Sequence, residues 1–232
     1  MLVLGFPAQV FGTNCYLVAP AAGEECLVVD PGIGVLDRLR ELLAEHRLRP
    51  AAVLATHGHL DHVFSVTPVC GAAGVALGIH PDDRYRLADP GATLGPELRQ
   101  MLAQQFPADS WKEPDDVRSI VHGERLQIAG IDLEVIHAPG HTEGSVMFSL
   151  PGVPDGIGPA SGLTSSLLSG DVLFAGSIGR TDLAGGSAEA MTRSLRERVL
   201  PLPDDMLVLP GHGGATTIGR ERASNPHLRL AG

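Results

Sequence analysis

The order of apolar and polar positions along the chain predicts short buried strands interrupted by helices and glycine-containing turns. Residues 1–55 are interpreted as three strands, a helix and a fourth strand, because the apolar residues of positions 35–48 recur at helical spacing. A second helix is predicted to begin near Asp61 and end before Gly71, and a third to begin at Ser187, a favourable N-cap residue. Later strands are expected at residues 75–79, 146–150, 167–171 and 206–209, with a hairpin at 124–136.

Residues 80–116 form the least regular part of the chain. The spacing of Leu98, Met101 and Leu102 predicts a short helix within it. Two interpretations stay open for the segment, a lid or rim over a functional site and a surface insertion, since long irregular connections are often functional. Prolines and one tryptophan punctuate it: Pro96, Pro107, Pro114 and Trp111.

Composition excludes several classes of function. With 232 residues the chain can bury a sizeable core, and its formal net charge of −10 argues against nucleic acid as the main partner. No apolar run is long enough for a membrane span, and the apolar start lacks the basic flank of a signal peptide, so a cytoplasmic location is expected. The cysteines show no paired spacing and are predicted to be reduced and buried: Cys15, Cys26 and Cys70.

The segment from Thr56 to His62 carries the strongest chemical signal. It reads Thr-His-Gly-His-Leu-Asp-His and follows the apolar run of residues 51–55, which is typical of a loop at the end of a buried strand. Imidazole nitrogens and carboxylate oxygens are the ligands that zinc and similar ions take in hydrolytic sites. The stretch is too short for every side chain to reach one ion. It therefore predicts two neighbouring ions, with His57 and His59 facing one and Asp61 and His62 facing the other.

Polar residues also follow strand ends at three later places, His141, Asp171 and His212. Side chains on loops held by a rigid sheet are well placed to form one site. The other histidines are interpreted as surface or structural residues, because histidine is intermediate in burial and is often hydrogen-bonded in a core. These are His46, His80, His122, His137 and His227.

Four segments together resemble the metal-binding motifs of the metallo-β-lactamase-fold hydrolases. They occur in the order of that family and span most of the chain, at residues 56–62, 139–142, 169–171 and 210–213. The resemblance implies an α/β fold, an αββα sandwich, formed by one domain of residues 1–232. It also implies a binuclear site with two divalent ions, for which zinc is the expected metal and iron or manganese are the alternatives. The implied ligands are His57, His59 and His141 for one ion, Asp61, His62 and His212 for the other, and Asp171 bridging both.

Within that superfamily the chain is most similar to glyoxalase II, the hydroxyacylglutathione hydrolases. The likeness rests on residues 13–18, 30–32, 178–182 and 218–223. It implies cleavage of a small-molecule thioester by a metal-bound hydroxide, with Asp61 and Asp171 as catalytic residues, and Arg180 is a candidate for binding a substrate carboxylate. Longer glyoxalase II proteins carry a C-terminal extension that helps hold glutathione, but only twenty residues follow His212 here. The resemblance therefore does not identify the thiol of the substrate. The sequence likewise identifies neither the acyl group of the substrate nor the oligomeric state of the protein.

Other functions of the same fold stay open. Persulfide dioxygenases share the Gly-Arg-Thr-Asp stretch of residues 179–182 and use one iron, which would fall to His57, His141 and Asp171. The Pro-Gly-His-Gly sequence around His212 favours a hydrolase over this alternative. A lactonase or β-lactamase would use the same activated hydroxide. A binding protein on a decayed scaffold is disfavoured, because all seven ligands that the family uses are present.

Overall fold

The computed structural model describes residues 1–91, 95–105 and 112–232, and it places two six-stranded sheets face to face. The first sheet has the order β1-β2-β3-β4-β5-β6: Leu2–Pro7, Asn14–Ala19, Glu25–Val29, Arg49–Leu54, Leu77–Ile79 and Val117–Ser119. The second has the order β14-β13-β10-β9-β8-β7: Thr216–Thr217, Met206–Pro210, Ser165–Gly170, Val146–Leu150, Ile131–His137 and Arg125–Ile128. A small hairpin pairs β11 with β12, which are Leu173–Phe174 and Ser177–Ile178.

Among the described residues the helices are α1 to α7: Leu36–Glu45, Leu60–Val63, Val66–Ala73, Pro96–Gln105, Ala188–Ser194, Ile218–Ser224 and Pro226–Ala231. The outer face of the first sheet is covered by α1 and α3, and that of the second by α5, α6 and α7. A 3₁₀ segment spans Pro81–Leu87, and α5 continues into a π-helical turn at Leu195–Val199. In the described part of the chain, none of the helices has the length and apolar character that a bilayer crossing needs.

Successive side chains of a strand point to opposite faces of its sheet, and this alternation produces three apolar layers. On β2, Cys15 and Leu17 face α1 and α3, whereas Tyr16 and Val18 point to the other sheet. Phe148 lies in the layer between the sheets, and its neighbour Met147 packs against α5 on the far side. A strand with both faces buried needs apolar residues at every position, which explains the continuous apolar runs of the sequence. The predicted αββα sandwich is confirmed.

The predicted helix between Asp61 and Gly71 differs from the observed structure. Two short helices occupy this region, and the second, α3, runs through Gly71 to Ala73 and ends at Gly74, whose φ is 67°. The break falls at Ser65, whose amide donates to Pro31 and whose hydroxyl donates to Gly32. Gly71 was therefore wrongly interpreted as the helix end, because a left-handed C-cap position favours glycine and that position is Gly74.

The irregular segment of residues 80–116 contains both buried and surface parts. Asp83, Arg86 and Leu87 are buried, so neither a lid nor a surface insertion describes the 3₁₀ segment. The short helix predicted from the apolar spacing is confirmed as α4. Trp111 lies outside the described residues, and the lid interpretation of the remaining residues stays a prediction.

Candidate metal centre

The loops that leave four strands meet at one edge of the sandwich. His57 and His59 lie on the loop after β4, and His62 follows within α2. His141 lies on the loop after β8, while Asp171 directly follows β10. The parallel pairing of β10 and β13 sets Gly170 beside Pro210, which brings the loop of His212 next to Asp171. The topology therefore brings together seven predicted side chains: His57, His59, Asp61, His62, His141, Asp171 and His212.

Three imidazole nitrogens converge on a single point. The distances are 3.1 Å from His57 Nε2 to His59 Nδ1, 2.8 Å from His59 Nδ1 to His141 Nε2, and 3.2 Å between the Nε2 atoms of His57 and His141. A tetrahedral ion with Zn–N bonds of about 2.0–2.1 Å holds its nitrogen ligands about 3.3 Å apart. The observed spacing is close to that of a metal-binding triad.

Hydrogen bonds behind the rings fix which nitrogen faces the centre. Thr56 Oγ1 donates its proton to Asp30 Oδ2 at 2.6 Å, so toward His57 Nδ1 at 3.1 Å it can only accept. His57 therefore carries its proton on Nδ1 and turns the lone pair of Nε2 inward. His141 Nδ1 donates in the same way to the backbone carbonyl of Arg180 at 2.8 Å. Metal-binding histidines use such outer hydrogen bonds to fix their tautomer.

A second donor group adjoins the first. Asp61 Oδ2 lies 3.2 Å from His212 Nε2 and 3.6 Å from His62 Nε2. His62 is fully buried, and its Nδ1 donates to Asp30 Oδ2 at 2.9 Å, which leaves Nε2 directed at the centre without a hydrogen-bond partner among the described residues. Thr13 Oγ1 donates to Asp61 Oδ2 at 2.8 Å and orients that carboxylate.

Asp171 lies between the two groups. Its Oδ2 is 3.5 Å from His141 Nε2 in the first group and 3.6 Å from His212 Nε2 in the second. Its Oδ1 is 3.4 Å from His62 Nε2 and lacks a hydrogen-bond partner in the described part of the chain. The close approach of the strand ends requires glycine beside it, because a Cβ on Gly211 would overlap Oδ1 of Asp171.

Burial and charge set the protonation of the centre. Burial, together with the neighbouring His141, lowers the pKa of His59 to about 3, and burial holds the pKa of His57 well below its usual value. These rings are therefore neutral near pH 7 and their lone pairs are available. Burial alone would lower the pKa of His62, but the carboxylates of Asp171, Asp61 and Asp30 raise it well above the usual value. Against the opposing effect of burial, His62 lowers the pKa of both Asp61 and Asp171.

The chemistry of the donor set fits divalent cations. Neutral imidazoles with inward lone pairs repel one another unless a positive charge lies among them. Three buried polar atoms have no partner among the described residues, His59 Nε2, His62 Nε2 and Asp171 Oδ1, and such atoms are costly unless a ligand satisfies them. The residues present therefore suit two adjacent ions, with nitrogen and oxygen ligands of the kind found in zinc and iron sites.

Asp30 was named only within the segment 30–32 that resembles glyoxalase II and was given no role, yet it supports both donor groups. Its two carboxylate oxygens accept from the amide and hydroxyl of Thr56, and Oδ2 also accepts from His62. The residue is buried and has a φ of 51°, a left-handed conformation that aspartate tolerates better than most residues. The signal in the sequence was the aspartate directly after an apolar strand and before Pro31-Gly32.

Asn14 and Tyr16 join the first strand pair to the loop of His212. The amide nitrogen of the Asn14 side chain donates to the carbonyls of Pro210 and Gly213, and the Tyr16 hydroxyl donates to Pro210. These contacts give a structural role to the Thr-Asn-Cys-Tyr motif near the start of the chain.

A cavity of about 400 Å³ opens above the donor groups. Arg180 lies on its wall, but its guanidinium is exposed and pairs with both oxygens of Asp182 at 2.7 and 2.6 Å. A larger cavity of about 680 Å³ lies elsewhere, near Arg125 and Met206, and none of the seven donors lines it. The site cavity is lined by Phe11, His59, Leu60, Asp61, Gly95, His141, Asp171, Arg180, Leu183 and His212.

His80 and His137 lie outside the centre, as predicted for structural histidines. Their rings stack with centroids 3.9 Å apart and planes inclined by 11°, and His137 Nε2 donates to the carbonyl of Glu143. Asp82 completes a group of three potential ligands with them. His80 Nδ1 accepts from the amide of Asp82, and His137 Nε2 is used by Glu143, so this arrangement suits packing better than chelation.

The comparisons with known proteins agree with the geometry. Residues 8–212 match the family described as the metallo-beta-lactamase superfamily. An uncharacterized protein of Mycobacterium tuberculosis is 42% identical, with 98% of each chain covered. The hydroxyacylglutathione hydrolase GloC of Haemophilus influenzae is 34% identical, with 96% of this chain and 95% of GloC covered.

Two solved structures are similar over nearly their whole length. The B3 metallo-beta-lactamase BLEG-1 superposes with a TM-score of 0.79 at 31% identity, covering 98% of this chain and 99% of its own. TTHA1623 in a di-iron-bound form superposes with a TM-score of 0.74 at 34% identity, covering 96% and 98%. On this evidence the chain is a member of the metallo-beta-lactamase superfamily and a metallo-hydrolase.

Proposed function

We propose that the protein hydrolyses thioesters of a low-molecular-weight thiol at a binuclear metal centre. The observation that carries the proposal is the position of Asp171 between two complete donor groups. The likeness to hydroxyacylglutathione hydrolase GloC supports the substrate class.

The ligand roles follow the two groups. One ion would be held by His57, His59 and His141. The other would be held by Asp61 and His62 of α2 together with His212 of the loop after β13. When bound, divalent ions of this kind supply Lewis-acid chemistry, polarising a carbonyl and lowering the pKa of water from 15.7 toward about 7. The protein fixes the distance between the two donor groups, because Asp171 reaches both of them from a buried position.

The remaining steps require little from the protein beyond orientation. Apart from Arg180, every titratable side chain described on the cavity wall belongs to the donor groups. A thiolate leaves without a strong general acid, so this set of residues suits a thioester better than an amide. Asp61, oriented by Thr13, and Asp171 can accept hydrogen bonds from water and hold it against the substrate carbonyl.

Arg180 is proposed as a contact for a substrate carboxylate. Its bidentate pair with Asp182 shows that the guanidinium can hold such a group, although the substrate must then compete with Asp182. Replacement by alanine should raise KM while kcat changes little. Asp182→Ala is the matched control, since it frees the guanidinium and should not raise KM. An unchanged KM in Arg180→Ala would assign the residue a structural role.

Zinc is the proposed native metal, with iron or manganese as alternatives. Sites of imidazole and carboxylate discriminate weakly between these ions, and the similar TTHA1623 was crystallised in a di-iron-bound form. Metal analysis of the purified protein should find about two ions per chain. One ion per chain would contradict the binuclear assignment.

The substrate class is tested by assaying a panel of small compounds under anaerobic conditions. The panel contains hydroxyacyl thioesters of glutathione and of a second small thiol, a lactone and a β-lactam. We expect thioester cleavage that is lost on chelation and restored by adding metal. A preference for the lactone or β-lactam would contradict the substrate class. In a separate aerobic assay, oxygen uptake with a persulfide by a protein holding one iron would establish the dioxygenase alternative.

A further inference from the structure

One buried carboxylate outside the seven donors contacts both loops that carry the first histidine group. Asp83 Oδ2 accepts from the amide of Gly58, which lies between His57 and His59, at 2.7 Å. The same oxygen accepts from Thr142 Oγ1, directly after His141, at 2.7 Å. Asp83 lies on the 3₁₀ segment Pro81–Leu87, which comes from neither loop.

The second oxygen of this carboxylate completes the contact. Asp83 Oδ1 accepts from the amide of Gly144 at 2.9 Å and from Arg86 Nε at 3.2 Å. The side chain of Asp83 is fully buried, so removing its charge from water is costly unless several donors compensate. Two backbone amides, a hydroxyl and a guanidinium provide that compensation.

The sequence allows this close approach because glycine occupies both contact positions. A Cβ on Gly144 would lie 2.7 Å from Cβ and Cγ of Asp83, and a Cβ on Gly58 would lie 2.8 Å from Cδ of Arg86. A larger residue at either place would push its loop away from the carboxylate. The two loops also share a backbone hydrogen bond from Val146 to Thr56, which joins them at the strand end but not at the ligands.

We propose that Asp83 is the positioning residue of the first metal site, because it sets the distance between His141 and the pair His57 and His59. It does not touch the ion itself. The inference rests on the proposed metal centre and adds a residue that none of the metal-binding motifs contains. Outer partners of metal ligands typically contribute about 10–100-fold to metal affinity.

The test replaces Asp83 with asparagine and measures zinc binding without substrate. Asparagine keeps the shape but presents a donor at one of the two oxygen positions, so two of the four donors lose their acceptor. We expect the zinc dissociation constant of the tighter site to rise about 10–100-fold, measured by competition with a chromophoric chelator. The cobalt-substituted protein should show a changed absorption spectrum, which reports ligand geometry. Asp82→Asn is the matched control, because Asp82 is exposed and its carboxylate pairs with His80 rather than with the loop of His57 and His59 or that of His141.

A purely structural role predicts a different result. The metal-free Asp83→Asn protein would then unfold at a lower temperature, while its zinc affinity and cobalt spectrum stayed within about twofold of the original protein. That outcome overturns the inference and leaves the proposed function intact. Absence of zinc binding by the unmodified protein would instead contradict the proposed function as well.

A second variant covers the case in which Asp83→Asn does not fold. Thr142→Val removes only one donor to Asp83 Oδ2 and leaves the other three contacts. It should weaken zinc binding several-fold with the same spectral change. Unchanged affinity in Thr142→Val, with Asp83→Asn either unfolded or unchanged, overturns the positioning role.

Discussion

Replacement of Thr56 by valine should destabilise the metal-free protein and weaken metal binding. The change keeps the shape of the side chain and removes one hydroxyl. That hydroxyl donates to Asp30 Oδ2 at 2.6 Å and lies 3.1 Å from His57 Nδ1, with all three residues buried. Asp30 would keep the amide of Thr56 and the ring of His62 as donors.

The magnitude follows from the charge on the acceptor. A buried hydrogen bond to a charged group contributes about 1.5–3 kcal/mol, so we expect a loss of about 2 kcal/mol in the free energy of unfolding. In a protein of this size, about 2 kcal/mol corresponds to a decrease of about 4–8 °C in Tm. Because His57 also loses the acceptor that fixes its tautomer, zinc affinity should fall about 10-fold or more.

The assay is thermal unfolding of the metal-free protein, followed by chelator competition for zinc. Thr164→Val is the matched control, since Thr164 also donates to an aspartate, Asp205 at 2.8 Å, but at the surface. The control should change the unfolding free energy by less than about 0.5 kcal/mol. Equal effects of the two variants, or no effect of Thr56→Val, would refute the argument that burial and charge make the hydroxyl important.

Four further predictions concern the centre and the core. Asp171→Ala should lower metal content and turnover together, and full activity with two ions retained would contradict its bridging role. Gly211→Ala should abolish metal binding because its Cβ overlaps Asp171, whereas Gly214→Ala, with open space around it, should bind metal normally. Burial raises the pKa of the thiols of Cys26 and Cys70 to about 12 and that of Cys15 well above its usual value, so iodoacetamide at pH 8 should label only the denatured chain. Stability from these protonated thiols is fully present below about pH 9 and is lost toward pH 12, which a pH series of unfolding measurements should show.

The seven donors could be predicted because each follows an apolar run within a short motif. The signal is local: residues 51–55 predict a buried strand, and the polar stretch after it contains more imidazole than a surface loop needs. The sandwich could be predicted from the family resemblance rather than from periodicity. Strands buried on both faces read as continuous apolar runs, which do not reveal the neighbour of each strand.

Asp30 and Asp83 could not be assigned from the sequence, although they orient the donors. Asp30 lies 26 residues before Thr56, and Asp83 contacts Thr142 across 59 residues. Each is one of 27 acidic residues, and neither lies in a segment rich in histidine. A carboxylate that accepts backbone amides leaves no periodic trace, because its partners are defined only after the sheets have packed. The burial of Asp83 within residues 80–116 could not be predicted from the sequence for the same reason.

The glycines of the motifs carry as much structural information as the ligands. In the third and fourth motifs, Gly170 and Gly211 directly precede the donors Asp171 and His212, and a side chain on either would overlap Thr56 or Asp171. The same close packing places Gly32 against the backbone of Asp61. A donor can be replaced by another that binds metal, but the space for these loops can be provided only by a residue without a side chain. A chain that kept the histidines and lost these glycines should therefore fold without assembling the centre.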